Sequence, residues 1–346
     1  MSLISFARGA PAPECIAVDL LADCARAALE RDGVTALSYG PPGGYAPLRE
    51  WLAERHGVEP GRVLLTNGGL QGIEFVARVL LARGGRVLVE APTYDRTLTI
   101  LDRLGADVVA LPDLDAVEAD DAAFLYTIPT FQNPTGRTLG LEARRRLAEL
   151  ARAGRLTILE DDPYGLVRFE GERPPSIHEL AGGEGVVYAS SFSKTVAPGV
   201  RVGYFVLTPD LVAAVEAEAV AAYITPVLIG QATVWELIRR GEFEPNLERI
   251  RGLLQARRDA MLAALERELP TGTSWNRPEG GYFLWAELGV DTAELLERAT
   301  DAGVAFVKGS DFFPAGRGGR TAARLAYSFV TPAEIGEGVR RLAALV

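Results

Sequence analysis

The chain has 346 residues, 48% of them hydrophobic, with a formal net charge of -10 and a pI near 5.0. That length buries a large core and suits two compact bodies. The acidic balance, with no basic run interleaved with aromatics, lacks the electrostatic footprint of a nucleic-acid binder, so no nucleic-acid partner is expected.

Short β-branched runs alternate with longer Ala/Leu/Glu/Arg runs at helical spacing. RVLLT (62–66) reads as a strand, and GLQGIEFVARVLLARGG as a helix ending at Gly84. RVLVE (86–90) is a strand, followed by a helix near 94–104. DVVAL (107–111), AAFLYTI (122–128), LTILE (156–160), VVYAS (186–190) and RVGYFVL (201–207) read as further strands. Apolar runs of that length, separated by helices, predict a mostly parallel sheet covered on both faces. From about 209 to 268 the pattern is helical, and helices around 243–268 are expected to join two bodies. WNRPEGGYFLWAEL, a helix near 291–302, VAFVK, ARLAYSF and a final helix near 333–344 complete a smaller unit. The expected fold is therefore α/β: a large domain with a mostly parallel seven-stranded sheet sandwiched by helices, plus a smaller α+β domain. The division expected is 39–250 for the large domain and 1–38 with 251–346 for the small one.

No apolar run approaches the roughly 20 residues that span a bilayer. The N-terminal MSLISFARGAPAPE lacks a basic stretch followed by an apolar one, so no secretory signal and a cytoplasmic location are expected. The two cysteines, Cys15 and Cys24, suggest no disulfide framework. Only His56 and His178 occur, and His56 precedes Gly57 at an expected helix end, where capping is its simplest task. No metal site is expected.

In a parallel sheet, ligands bind at the C-terminal strand ends. The unusual residues cluster there: TNGG after 62–66, APTY after 86–90, IPTFQNPTG after 122–128, EDDPYG after 156–160 and SSFSK after 186–190. Five such tips imply one shared crevice. Of the 36 Lys and Arg residues, only Lys194 and Lys308 are lysines. An amine can lose its proton and attack a carbonyl to give a Schiff base; a guanidinium cannot. A chain that writes arginine almost everywhere has kept a lysine in SFSK. Lys308 has no motif around it.

EDDPY sets Asp161 and Tyr164 three apart, where both can face the crevice. A buried carboxylate at a strand end needs a cation or donor, and a pyridinium N–H would serve. Asp162 reads as an Asx-type turn former before Pro163. Asn133 of NPTG, at a strand end, can donate to a phenolate oxygen. TNGGLQG puts glycines between a strand and a helix start, where backbone N–H groups and the helix dipole favour an anion. Ser191 and Ser193 add hydroxyls. Arg201 adds a charged fork if TVAPG turns it back beside the lysine. Tyr94 can stack on a planar ring or sit in the core as an ordinary tyrosine.

Together these residues suit a ligand with an aldehyde, a ring nitrogen, a phenolic oxygen and a phosphate, which is pyridoxal 5′-phosphate (PLP). LSYGPPGGYAPLREWLA, FQNPTG, EDDPYG, SFSK…PGVRVGY, PEGGYFLW and ARLAYSF occur in order. In that string the chain resembles the fold-type-I PLP-dependent aminotransferases of class I/II, in the branch of 2-aminoadipate, kynurenine and broad-specificity aminotransferases. The resemblance implies that Lys194 is the Schiff-base lysine and Asp161 the partner of the pyridine nitrogen. It implies Asn133 and Tyr164 as partners of the ring oxygen, and Tyr94 as the stacking aromatic. Ser191, Ser193, Arg201 and the backbone of Gly69 and Leu70 match the phosphate cradle. Tyr39 matches a tyrosine that reaches the neighbouring subunit's phosphate, which implies a homodimer. Arg324 matches the arginine that grips the substrate α-carboxylate. Gly9 sits where an N-terminal segment folds over the substrate, and Arg8 beside it meets an acidic side chain or points to solvent. Relatives often carry a hydroxyl residue at Gly69 and Gly-Gly at Arg8-Gly9.

The activity so implied is transfer of an amino group from an L-amino acid to a 2-oxo acid, with 2-oxoglutarate the expected acceptor, by a ping-pong route. The same cradle serves PLP-dependent lyases, decarboxylases and racemases. It also serves the PLP-binding effector domain of transcription regulators, although this chain begins directly at the ISF segment.

Overall fold

The seven β-branched runs pair into one sheet. The computed structural model describes residues 2–115, 117 and 121–346. In chain order, β1 (Ile4–Ser5), α1 (Val18–Leu37) and α2 (Ala46–His56) lead into β2 (Val63–Thr66), α3 (Gly69–Leu81), β3 (Arg86–Glu90) and α4 (Asp95–Arg103). β4 (Val108–Leu111), β5 (Ala122–Thr127), α5 (Leu141–Arg152), β6 (Ile158–Asp161), α6 (Ile177–Ala181), β7 (Val186–Ser191) and β8 (Gly203–Val206) follow. These seven strands, β2 to β8, lie in the order β2-β8-β7-β6-β5-β3-β4. Only β8 runs against its neighbours β2 and β7, so the C-terminal ends of β2, β3, β5, β6 and β7 share one edge.

Side-chain parity explains the near-continuous apolar runs. Val87 and Val89, Phe124 and Tyr126, and Val187 and Ala189 face one layer with Ile73, Val76 and Leu101. Leu88, Leu125, Ile158 and Val186 face the opposite layer with Leu147, Ala148 and Ile177. Both faces are covered, so each strand is apolar on both sides.

Three helices come next, α7 (Val212–Tyr223), α8 (Leu228–Arg239) and α9 (Phe243–Glu268). The second body holds β9 (Ser274–Trp275), β10 (Phe283–Glu287), α10 (Thr292–Asp301), β11 (Val304–Ala305), β12 (Val307–Lys308), β13 (Ala322–Ala326) and α11 (Pro332–Ala343). Its sheet has the order β12-β13-β10-β9, and β1 pairs in parallel with β11. The bridging helix is α9. Its Phe243, Leu247, Ile250 and Leu254 belong to the core around α1, α2 and α8, and its Met261, Ala264 and Leu265 to the small core with Ile4, Phe6 and Leu325.

Two local expectations change. The helix read as ending at Gly84 stops at Leu81, and Gly84 and Gly85 form the turn into β3 with φ of 81° and 98°. Gly57, in the left-handed conformation at φ 63°, caps α2 through its own N–H. His56 instead packs its ring 4.8 Å from that of Tyr188 and sets Nε2 3.4 Å from the Tyr204 hydroxyl. Burial holds both histidines well below their ordinary value, at about 4. Among the described residues no single helix is long and apolar enough to cross a membrane.

Candidate active site

The five strand ends open into one cleft of about 550 Å³ between the large sheet and the β10–β13 pair. Its wall includes Gly9, Gly69, Leu70, Tyr94, Asn133, Asp161, Tyr164, Ser191, Ser193, Lys194, Arg201 and Arg324. Residues separated by more than 300 positions thus share one cavity.

At the anion end, α3 starts at Gly69 behind Gly68, whose φ is 98°. A Cβ on Gly68 would lie 2.3 Å from Arg201 Nη2, so only glycine lets the guanidinium reach this turn. Arg201 Nη2 donates to the Asn67 carbonyl at 2.9 Å. The excursion between Phe192 and Val202 is closed by Phe192 N–H donating to the Val202 carbonyl at 3.0 Å, which returns Arg201 to the helix start. The Ser193 N–H donates to Ser191 Oγ at 3.3 Å. A Cβ at Gly69 meets nothing within 4 Å, so the missing hydroxyl leaves open space.

At the centre, Asp161 ends β6 and accepts from the Tyr126 hydroxyl at 2.7 Å. Burial pushes its carboxyl up to about 7, with Tyr126 and Lys194 pulling the other way and Asp162 adding to the rise. Asp162 turns to the opposite face. Its Oδ1 accepts from the Gly165 N–H at 2.8 Å and its Oδ2 from the Tyr188 hydroxyl at 3.0 Å, an Asx-type turn as read from the sequence. Lys194 lies half-buried in the turn after β7. Its Nζ donates to the Gly9 carbonyl at 2.9 Å and sits 5.1 Å from the Tyr282 ring centre. Burial and the Arg324 charge lower its pKa to about 8, against the pull of Asp161. Tyr94, directly before α4, is pushed up to about 12 by burial. Tyr164 is buried against the rings of Tyr282 and Phe283.

At the far end stands Arg324 on β13, 7% exposed. Nη1 donates to Asn133 Oδ1 at 3.0 Å and Nη2 to the Ala7 carbonyl at 2.7 Å, while buried Nε has no partner among the described residues. The rings of Phe283 and Phe312 flank it at 4.4 and 5.0 Å. The NPTG turn reaches this strand pair because Gly136, at φ 66°, comes so near that a Cβ would lie 2.4 Å from the Phe283 carbonyl.

Two expected residues lie outside the wall. Arg8 is exposed and stacks its guanidinium 4.0 Å over the Phe329 ring. Tyr39 is 81% exposed. Lys308 pairs with Asp311 at 2.6 Å, on the rim of the cleft. The sequence reading missed Tyr126, Phe283, Phe312 and the cleft carboxylates Asp95 and Asp311. For Phe283 the signal was present in PEGGYFLW; for Tyr126 it needed the register between strands.

The donor set fits PLP. Helix-start N–H groups, two serines and an arginine suit a phosphate dianion. A carboxylate whose buried site leaves it short of a cation suits a protonated ring nitrogen, and an amine of lowered pKa suits an aldehyde. The fold that carries them is that of the fold-type-I PLP-dependent transferases.

The chain belongs to the family Aminotransferase class I and II, whose profile matches residues 10–342. It is an aminotransferase with PLP as its cofactor. It is 42% identical to a 2-aminoadipate transaminase of Thermus thermophilus, covering 98% of this chain and 89% of the relative. It is 35% identical to aromatic-amino-acid aminotransferase 1 of Thermococcus litoralis, over 99% and 88%. The crystal structure of an α-aminoadipate aminotransferase from Thermus thermophilus, complexed with N-(5′-phosphopyridoxyl)-L-leucine, superposes with a TM-score of 0.93 at 39% identity, over 99% of this chain and 92% of that one.

Proposed function

We propose that this cleft moves an amino group from an L-amino acid to 2-oxoglutarate in two half-reactions that use one site in turn. The observation that carries this reading is the pairing of Lys194, an amine brought near neutrality, with Arg324, a buried guanidinium with an unused Nε, across the same cavity. Bound PLP supplies an aldehyde that takes up amino groups and a protonated ring that accepts electrons from the substrate Cα. Lys194 would hold the aldehyde end and would move the proton at the substrate Cα; its neutral form is the one that can do so. Asp161 keeps the ring nitrogen protonated. Asn133 and Tyr164 serve the ring oxygen, Tyr94 stacks on the ring, and Gly69, Leu70, Ser191, Ser193 and Arg201 hold the phosphate. Arg324 takes the substrate α-carboxylate.

The N-terminal segment is laid across the cleft, with Ala7 accepting from Arg324, Gly9 from Lys194, and Ala10 from Ser328 at 2.9 Å. In this reading it closes the substrate side. Tyr39 is assigned to the phosphate of a partner subunit in a homodimer. Exposed Val34, Leu37, Ile224 and Val227 support that face as apolar, and the Gly40 N–H bonds to the Thr225 hydroxyl beside it at 3.3 Å. The large domain is taken as 39–250 and the small one as 1–38 with 251–346. A cytoplasmic location agrees with two buried, unpaired cysteines.

The test is Lys194→Arg in the PLP-loaded enzyme. Turnover and the visible absorbance of attached cofactor should both vanish, and an active Arg variant would overturn the reading. A donor panel against 2-oxoglutarate, led by 2-aminoadipate and the aromatic amino acids, names the substrate. An amino acid that yields its 2-oxo acid while 2-oxoglutarate becomes glutamate establishes the transfer.

A further inference from the structure

Three consecutive carboxylates close β6, and each is held by a different element. Glu160 accepts from the N–H groups of Ile177 and His178 at 2.9 and 2.8 Å, at the start of α6. Asp162 is held by Tyr188 and Gly165 on that same side. Asp161 alone turns to the cleft, and the strand register decides it. Tyr126 pairs with Leu159, so Asp161, two residues on, projects from the face that carries the Tyr126 ring. The phenol reaches across those two residues along the strand and donates to Oδ2. Tyr126 is fully buried, and it does not line the cavity.

We propose that Tyr126 is a positioning residue, whose hydroxyl keeps Asp161 an anion with its other oxygen aimed at the ring nitrogen and so governs how firmly PLP is held in mildly acidic solution. The inference rests on the assignment of Asp161 to that nitrogen. A phenol donating to one carboxylate oxygen lowers the freedom of the group and stabilises its charged form, while burial works against the charge. The other titratable groups that interact with Asp161 are Lys194 after β7, Tyr94 ahead of α4 and Tyr164, together with Asp162, its neighbour on the opposite face. Asp162 opposes the anion and Lys194 favours it. Tyr126 is the hydrogen-bond donor to the carboxylate among the described residues.

Removing the donor raises the carboxyl pKa, so the anion is lost at a higher pH. In Tyr126→Phe the loaded enzyme should therefore release PLP on dilution at a pH about one unit above wild type, with retention unchanged well above that limb. The visible absorbance, titrated on the same samples, should move with it. The value of kcat should fall about tenfold with KM within about twofold, because the substrate carboxylate site is untouched. A purely packing role predicts equal loss of cofactor at every pH. Tyr126→Gln separates the two further: a donor with poorer packing should restore the acid limb toward wild type. An acid limb in Tyr126→Phe that matches wild type overturns the proposal. Asp161→Asn is the control for the assignment beneath it. If that variant holds PLP as wild type does, the ring-nitrogen reading fails; if it loses PLP while Tyr126→Phe does not, only the inference about Tyr126 fails.

Discussion

Arg324 on β13 of the small body donates to Asn133 Oδ1 at 3.0 Å in the turn that follows β5 of the large one. Both residues line the cleft, so the contact joins the two bodies at its wall, where the proposed function puts the substrate. In the proposed function Asn133 also serves the ring oxygen, which would set this amide between the cofactor and the substrate carboxylate.

Arg324→Gln should lower kcat/KM for an amino-acid donor roughly a hundredfold or more, since the charged fork proposed to take the substrate carboxylate is lost. An amine donor without a carboxylate should lose far less. Arg324→Lys should recover little, because a point charge does not reproduce the planar fork. Steady-state kinetics with the paired donors check this; equal losses for both would place Arg324 in scaffolding instead.

Gly68→Ala tests the phosphate end. Its φ of 98° and the 2.3 Å approach to Arg201 Nη2 leave no room for a methyl group. Arg201 must shift, and the backbone strain should cost about 1–3 kcal/mol. We expect PLP to bind at least about tenfold more weakly, since one charge-assisted contact is displaced. Cofactor retention and the melting temperature of the loaded protein measure the two effects separately.

Glu236 on α8 supplies a stability prediction. Its carboxylate is fully buried and accepts from Arg239 and Arg240 at 2.8 and 2.7 Å and from Arg31 of α1. Hydrogen bonding from Arg239 and then from its other arginines outweighs burial and pulls it from 4.5 to about 2. A folded-state pKa below the unfolded one means stability that is full above about pH 4.5 and lost as pH falls toward 2. The shift corresponds to something on the order of 3 kcal/mol. Glu236→Gln should lower the urea midpoint at neutral pH and flatten the pH dependence of stability in that window. A variant as stable as wild type at pH 7 would show that desolvation cancels what the carboxylate gains from the three arginines.

Much of the site could be read from single residues because each sits in a short local signal. NPTG, EDDPY and SFSK are turns at strand ends, and their positions follow from the β-branched runs before them. Asp161 lines the cleft while Asp162 closes a turn onto the Gly165 N–H; alternation puts the two on opposite faces but does not say which meets the cleft, and the turn signal at Asp162 before Pro163 is what separates them in the sequence. Gly57 took the cap that seemed to suit His56, because a left-handed residue closes a helix more cheaply than an imidazole can.

Local signal and period placed each strand to within about two residues and showed which types of chemistry its end brings. What they could not decide is lateral order. That β5 lies beside β6, with Tyr126 opposite Leu159, is a fact of sheet pairing, and no property of AAFLYTI alone announces that its tyrosine will meet Asp161. Arg324 is the same case at longer range: ARLAYSF shows an arginine in a strand, while its bond to Asn133, 191 residues earlier, depends on how α9 carries the small body back over the strand ends. Hydrophobic burial sets that packing from many weak contacts at once, and only the folded chain sums them.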